Sequence, residues 1–238
     1  GTATDTATVT VAVEPGEVSY TDEDTGQTVT LDIAADAEGG NPAGNVAVDV
    51  NNVDATTINL SFALDSSGSV QEDGWADIED AVYSALNQLS TKFEGSNTTV
   101  NVQIVQYGDG VYQDFKYDLA DPQLLIDVRA LKFEQGGSTD WDEALIASKA
   151  FFDSKNVSDT NILYFVTDGV PTGPESAWKE ALSDLKDAPY DLDIQAFVIG
   201  DNFDTDQLKT VDSDGEPTSV SKSSALLEAF QSSPLFAA

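Results

Sequence analysis

Two textures of hydrophobic pattern divide the chain. Up to about residue 50 the apolar positions alternate with polar ones at period two: Val9, Val11 and Val13, then Val29, Leu31 and Ile33, then Val46, Val48 and Val50. Side chains alternate across a strand, so this pattern predicts short strands with one covered face. Turn-rich stretches separate them, Glu14-Pro15-Gly16, Asp22 to Gly26 and Gly39-Gly40-Asn41-Pro42, and no helix is signalled before residue 71. From Ile58 onward the pattern changes to strands alternating with amphipathic helices. Ile58 to Leu64 reads as a strand, and Ile78, Val82, Ala85, Leu86 and Leu89 then recur on one helix face. Thr99 to Tyr107 and Val111 to Tyr117 read as two strands joined through Gly108-Asp109-Gly110, a tight turn suited to an antiparallel edge hairpin.

Further helices are expected around Leu124, Leu125 and Val128, around Trp141, Ala144, Leu145, Ser148 and Phe152, from Pro174 through Trp178 to Leu185, and from Ser224 to Phe230. Between them, Ile162 to Val166 is a continuous apolar run, as expected of a strand covered on both faces at the sheet centre, and Ile194 to Ile199 gives another strand. The expected fold is α/β: a doubly wound, mostly parallel six-stranded sheet, with one antiparallel edge strand, helices on both faces and an N-terminal β-strand extension. The expected division is a β-rich extension, or the end of a preceding β-sandwich repeat, over residues 1–50, and the α/β domain over 51–238.

Charge narrows the partners. Forty-three Asp and Glu residues against 10 Lys and Arg give a formal net charge of −33, which opposes nucleic acid and anionic membrane surfaces. Such a surface is suited to high salt or to a medium rich in divalent ions. With no Cys and no His, thiolate chemistry, most zinc sites and most hydrolytic triads are excluded, so any metal is bound by oxygen. No run of apolar residues is long enough to span a bilayer, so direct membrane insertion is not expected. The start Gly1-Thr2-Ala3-Thr4 is neither a signal peptide nor an initiator methionine, and the chain reads as a piece of something longer, with neighbouring domains as partners.

Doubly wound sheets place ligands beyond the carboxyl ends of their strands. There the sequence offers Asp65-Ser66-Ser67-Gly68-Ser69 after the first core strand, Gly136-Gly137-Ser138-Thr139-Asp140 before a helix, and Thr167-Asp168-Gly169 after the central strand. Two carboxylates and three hydroxyls, Asp65, Asp168, Ser67, Ser69 and Thr139, are hard ligands of the kind magnesium, calcium and manganese take. With only two charges the cage leaves the ion electrophilic and open to a partner's oxygen. Each piece alone also has a plainer use: Asp65 as a helix cap or Asx-turn, Asp168-Gly169 as a turn.

Together these motifs resemble the von Willebrand factor A and integrin I domains. Asp65-Ser66-Ser67-Gly68-Ser69 matches the D-x-S-x-S motif, Thr139 the distant threonine after a glycine pair, and Asp168 the strand-end aspartate, over about residues 56 to 231. The resemblance implies a metal-ion-dependent adhesion site in which Ser67, Ser69 and Thr139 ligate directly and Asp65 and Asp168 act largely through water. Ser138, next to Thr139, departs from the pattern and is an alternative for its role, although Thr139 keeps the family's spacing to Asp140.

Two softer resemblances, of Asp5 to Val13 to the closing strand of tandem repeats in bacterial surface proteins and of Val211 to Gly215 to repeats-in-toxin adhesins, point to a large bacterial surface adhesin. The implied function is a non-enzymatic, divalent-cation-dependent adhesion module at the extracellular bacterial surface. Its ligand is then an acidic protein or a cell-surface glycan, held through one magnesium or calcium ion, with manganese compatible.

Two alternatives stand beside it: a structural spacer whose metal only holds loops together, and a magnesium-dependent phosphatase using Asp65. The phosphatase needs a second carboxylate two positions on, where Ser67 stands. The acidic stretches at Asp22 to Asp24 and Asp212 to Glu216 leave room for additional calcium, although Pro217 and Ser223 break an EF-hand pattern. Trp75 and Trp141 read as core residues, with bordering the ligand as the alternative.

Overall fold

The alternation that begins at residue 57 becomes a six-stranded sheet in a computed structural model, which describes residues 16–21, 28–33, 56–134, 136–200 and 205–236. The chain divides into two units, Gly1–Asp54 and Ala55–Ala238. In the first, β1 (Gly16–Thr21) and β2 (Thr28–Ile33) pair antiparallel, with Gly16 opposite Ile33. β2 falls where Val29, Leu31 and Ile33 alternate; β1 was not expected, because Glu14-Pro15-Gly16 reads as a turn. The stretches Val9 to Val13 and Val46 to Val50 lie outside the described residues.

In the second unit the chain runs β3 (Thr57–Asp65), α1 (Gln71–Phe93), β4 (Thr99–Tyr107), β5 (Val111–Asp118), α2 (Pro122–Ala130), α3 (Trp141–Phe152) and β6 (Thr160–Thr167). It continues through α4 (Glu175–Lys186), β7 (Leu192–Ile199), α5 (Thr205–Val211), β8 (Thr218–Val220), one turn of 3-10 helix over Ser223–Ala225, and α6 (Leu226–Gln231). The sheet order is β5-β4-β3-β6-β7-β8, with only β5 antiparallel. This is the expected mixed sheet. Its fifth parallel strand is the three-residue β8, and α5 is a further element that no periodicity marked.

Register sorts the side chains of β3, β4 and β6 into rows. Leu60, Phe62 and Leu64 face one cluster with Ile78, Leu86, Val102, Ile104, Tyr164, Val166 and Phe230; Ala63 faces the other with Tyr107, Trp141, Leu145, Phe165 and Trp178. Trp75 and Trp141 are buried, as the core reading has them.

The second face also carries polar side chains through the middle of the sheet, where a pattern reading would place apolar ones. Asn59, Asn101 and Asn161 share one register row. Asn59 donates to Asn161 Oδ1 at 2.9 Å and to Asp159 Oδ2 at 3.1 Å, and accepts from Asn101 Nδ2 at 2.8 Å. In the next row Ser61 donates to Gln103 Oε1 at 2.8 Å, and Gln103 donates onward to Asp114 and the Ala147 carbonyl.

Buried amides hold a sheet together only when their partners are all present. Asn59→Ala strands the partners of both neighbouring strands. It is expected to lower unfolding free energy by about 2–4 kcal/mol in urea titration, more than its side-chain volume alone would suggest.

Candidate metal site at the carboxyl edge

The last register row of the polar face ends in Asp65, opposite Tyr107. Asp65 is fully buried. Its Oδ1 accepts from Ser67 N–H at 2.8 Å, an Asx-type turn that bends the chain off β3, and its Oδ2 accepts from Thr167 Oγ1 at 2.8 Å across the β3–β6 boundary. The turn reverses the backbone so that Ser67 and Ser69 come side by side, with 3.0 Å between their hydroxyl oxygens. Ser69 Oγ donates to Asp168 Oδ1 at 2.7 Å. Four of the five residues expected from sequence are thus joined directly.

Thr139 arrives by a different route. The loop that carries it is bonded at one end to the Asp65 turn, where Gly68 N–H donates to Gly136 O at 2.8 Å. At the other end Thr139 N–H donates to Thr172 Oγ1 at 2.9 Å, and Thr172 N–H returns to Thr139 O at 3.0 Å. Asp140 N–H adds a bond to Gly108 O at 2.7 Å. Thr139 is buried while its neighbour Ser138 is half-exposed. The Thr139 hydroxyl makes no hydrogen bond to the other four residues among the described residues, and its position is set by the loop's backbone bonds together with the Thr172 hydroxyl.

Glycine leaves room for the Tyr112 ring where this lacing is tightest. A Cβ on Gly136 would collide with the Tyr112 hydroxyl, and one on Gly108 would lie 2.7 Å from the same atom. Tyr112 lies over both glycines and bonds Asp109 through its hydroxyl, closing the β4–β5 turn on itself. The sequence reading missed Tyr112, Thr167 and Thr172. Thr167 adjoins Asp168 and was within reach; the other two act through loop contacts that no periodicity encodes.

No basic side chain neutralises the two carboxylates among the described residues. The partners of Asp65 and Asp168 are hydroxyls and an amide. Burial pushes Asp65 up to about 6, with the nearby Asp168 charge adding to the rise against its hydrogen bonds. Asp168 is also held above the usual carboxylate range by burial. No three Asp or Glu side chains are placed to hold a metal ion by themselves among the described residues, so a site here draws on hydroxyl oxygens as well. Two under-neutralised carboxylates with the Ser67 and Ser69 hydroxyls beside them suit a small hard divalent ion.

The other acidic stretch is built differently. Asp212 Oδ1 accepts from the N–H groups of Asp214, Gly215 and Glu216, and Oδ2 from Ala196 N–H at 2.8 Å, so the chain's own amides surround this carboxylate. Asp22 to Asp24 lies outside the described residues.

A doubly wound sheet with a hydroxyl-rich acidic site at its carboxyl edge defines an α/β ligand-binding fold. The von Willebrand factor type A domain family matches residues 59–232, and the chain belongs to that family. Among solved structures, the chain is similar to proximal thread matrix protein 1 from the mussel byssus, at 17% identity and a TM-score of 0.60 over 74% of this chain and 46% of that one. One structure of that protein has a zinc-occupied metal-ion-dependent adhesion site. A von Willebrand factor type A protein from Catenulispora acidiphila gives 17% identity and a TM-score of 0.59 over 74% of this chain and 41% of that one. The pilus adhesin SpaC from Lactobacillus rhamnosus GG gives 12% identity and a TM-score of 0.61 over 75% of this chain and 30% of that one. The match spans less than half the length of each of these chains. Among curated protein sequences none matches. Among the described residues no helix is long and apolar enough to cross a membrane.

Proposed function

We propose that residues 51–238 form a divalent-cation-dependent binding module and that Asp65, Ser67, Ser69, Thr139 and Asp168 hold its ion, magnesium or calcium, with residues 1–50 as the end of a preceding β-rich unit. The observation that carries this reading is the buried Asp65 carboxylate, pushed up to about 6 beside Asp168, Ser67 and Ser69 with no basic partner. A bound divalent ion would supply the positive charge that no side chain provides here and a Lewis acid for a partner's oxygen. Asp65 and Asp168 supply charge, the hydroxyls of Ser67, Ser69 and Thr139 supply neutral oxygens, and Thr167 orients Asp65. No nucleophile or general base is required, and the module is non-enzymatic.

The setting proposed is a large secreted or surface-anchored bacterial adhesin, of the repeats-in-toxin kind in architecture, whose acidic surface tolerates salt and divalent ions. That setting is supported by the net charge of −33 and by the likeness in fold to a pilus adhesin. Calorimetric titration of calcium and magnesium into wild type and Asp65→Ala, side by side, tests the metal assignment. The expected result is one divalent site present in wild type and missing from the variant. Matching isotherms would sink the reading, since general screening of surface carboxylates is common to both proteins.

A further inference from the structure

The two edges of the six-stranded sheet are unlike. β8 at one edge is three residues long, whereas β5 at the other is eight, and no described strand pairs with its outer side. Short strands blunt a sheet edge; a long unpaired one presents a row of main-chain groups to any strand that can lie beside it. Which groups these are follows from the pairing on the inner side. Thr99 N–H donates to Thr56 O at 2.9 Å and Leu119 N–H to Val100 O at 2.8 Å. Along β4 the main chain of odd-numbered residues thus faces β3 and that of even-numbered residues faces β5, where the register sets Ile104 against Phe115 and Val102 against Tyr117. The N–H and C=O groups of Asp114, Lys116 and Asp118 are left pointing off the edge.

The side chains here have an order of their own. Gln103 donates to Asp114 Oδ1 and to the Ala147 carbonyl of α3, so Asp114 lies on the α3 face, and Lys116 pairs with it at 2.5 Å. Phe115 and Tyr117 lie on the opposite face, against the cluster that holds Leu124 and Val128 of α2. Charges on an edge strand ordinarily repel an incoming one. In β5, however, the negative Asp114 and the positive Lys116 flank Phe115, and reversing the chain direction exchanges their places. The surroundings also carry apolar surface: of the five large apolar residues exposed among those described, Val111 is on β5 itself, Ile126 on α2 and Ile146 on α3.

We infer that β5 pairs antiparallel with β5 of a second copy of this chain, about a two-fold axis at Phe115, joining the two sheets edge to edge. In that register each Asp114 stands opposite the second copy's Lys116 in a hydrogen-bonded pair. The two Phe115 rings meet at the axis in a non-hydrogen-bonded pair, where opposing side chains come closest. The neighbouring registers of the same bonding parity set Asp114 against Asp114 or against Asp118, like charge against like, so charge selects the one centred on Phe115. Net charge opposes the association at long range, since each copy carries −33. Salt removes that repulsion without removing main-chain hydrogen bonds. The dimer therefore tightens as salt rises, the reverse of an interface held mainly by ion pairs.

Sedimentation equilibrium of the full chain reads the association at about 0.15 M and about 1 M salt, where charges are screened beyond about 8 Å and about 3 Å. A dimer is expected, tighter in the higher salt. Lys116→Glu places like charges opposite each other on both sides of the axis and should weaken it roughly tenfold or more, while the fold persists because an exposed ion pair contributes little. The chain has no cysteine, so Phe115→Cys adds a lone thiol. Oxidation should link it to its counterpart, because the Cα separation of a non-hydrogen-bonded pair, about 4.5 Å, is within reach of a disulfide. Gln113→Cys, which this register places opposite Tyr117, should stay unlinked. A wild type that remains monomeric in both salts would overturn the pairing and leave the edge to a strand of another protein. So would a dimer indifferent to Lys116→Glu, or Gln113→Cys linking as readily as Phe115→Cys.

Discussion

Asp65→Asn is expected to abolish divalent binding and, in the metal-free protein, to raise the melting temperature at neutral pH. The two effects have one cause. Asp65 is buried, and its carboxyl is pushed up to about 6, against roughly 3.9 in an unfolded chain. Below about pH 4 it is protonated in both states and costs nothing. As pH rises from 4 to 6 the unfolded chain releases its proton while the native one keeps it, so the native state loses stability. Above 6 the loss is complete, at most about 3 kcal/mol for a carboxyl raised by roughly two pH units on folding.

Asparagine fits the same hydrogen bonds. Its carbonyl oxygen can accept from Ser67 N–H, and its amide can donate to Thr167 Oγ1, which lies 3.2 Å from Gly169 O and can turn its own proton there. The variant should therefore gain several degrees over wild type at pH 7 in metal-free buffer. The gap should close as pH falls to 4, a comparison that subtracts the behaviour of the other carboxylates.

With magnesium present the order reverses. Binding stabilises only the protein that holds the ion, and losing one of two charged ligands is expected to weaken affinity by roughly a hundredfold or more. Wild-type affinity should itself fall about tenfold per pH unit below 6, because the ion must displace the Asp65 proton. Thermal scans of both proteins across pH, with magnesium and with chelator, read all of this. A variant no more stable than wild type at pH 7 without metal would show that Asp65 carries no electrostatic strain.

Much of this site was legible in the sequence because each part of it is local. An aspartate at a strand end with two serines in the following turn is a contiguous signal, and so is Thr167-Asp168-Gly169 after a continuous apolar strand. The sheet was legible for the same reason, since Ile162 to Val166 or the face from Ile78 to Leu89 carries its period within a few turns. What was hidden depends on contacts between distant segments. β8 is three residues long and α5 seven, too short for any period to show, and both exist because β7 and the helices around it cover them. The asparagine row of β3, β4 and β6 looks like surface in a one-dimensional pattern; only the parallel register makes it a closed hydrogen-bonded line. Tyr112 read as an ordinary strand residue, although its ring end lies over Gly108 and Gly136 of two site loops.

Phe230→Ala is expected to cost about 3–5 kcal/mol, among the largest losses any single substitution outside the site would cause. Phe230 is fully buried on the six-residue α6, a helix too short to persist by its own hydrogen bonds. Its ring meets Phe62 at 5.6 Å, stacks on Tyr164 at 5.3 Å and meets Phe197 edge-on at 4.9 Å, so one side chain reaches the three strands β3, β6 and β7. Tyr164 is itself fastened to Ser233, just beyond α6, through its hydroxyl. Tyr164→Phe removes that hydroxyl bond yet keeps the ring, and should cost only about 1 kcal/mol. Urea unfolding of both variants separates the two contributions: aromatic packing, if it anchors α6, makes Phe230→Ala several times worse than Tyr164→Phe. Comparable losses would instead place the anchor in the Tyr164–Ser233 bond. Divalent affinity measured on the folded fraction should be unchanged in either variant, since neither side chain touches Asp65, Asp168 or the loops that carry the hydroxyls.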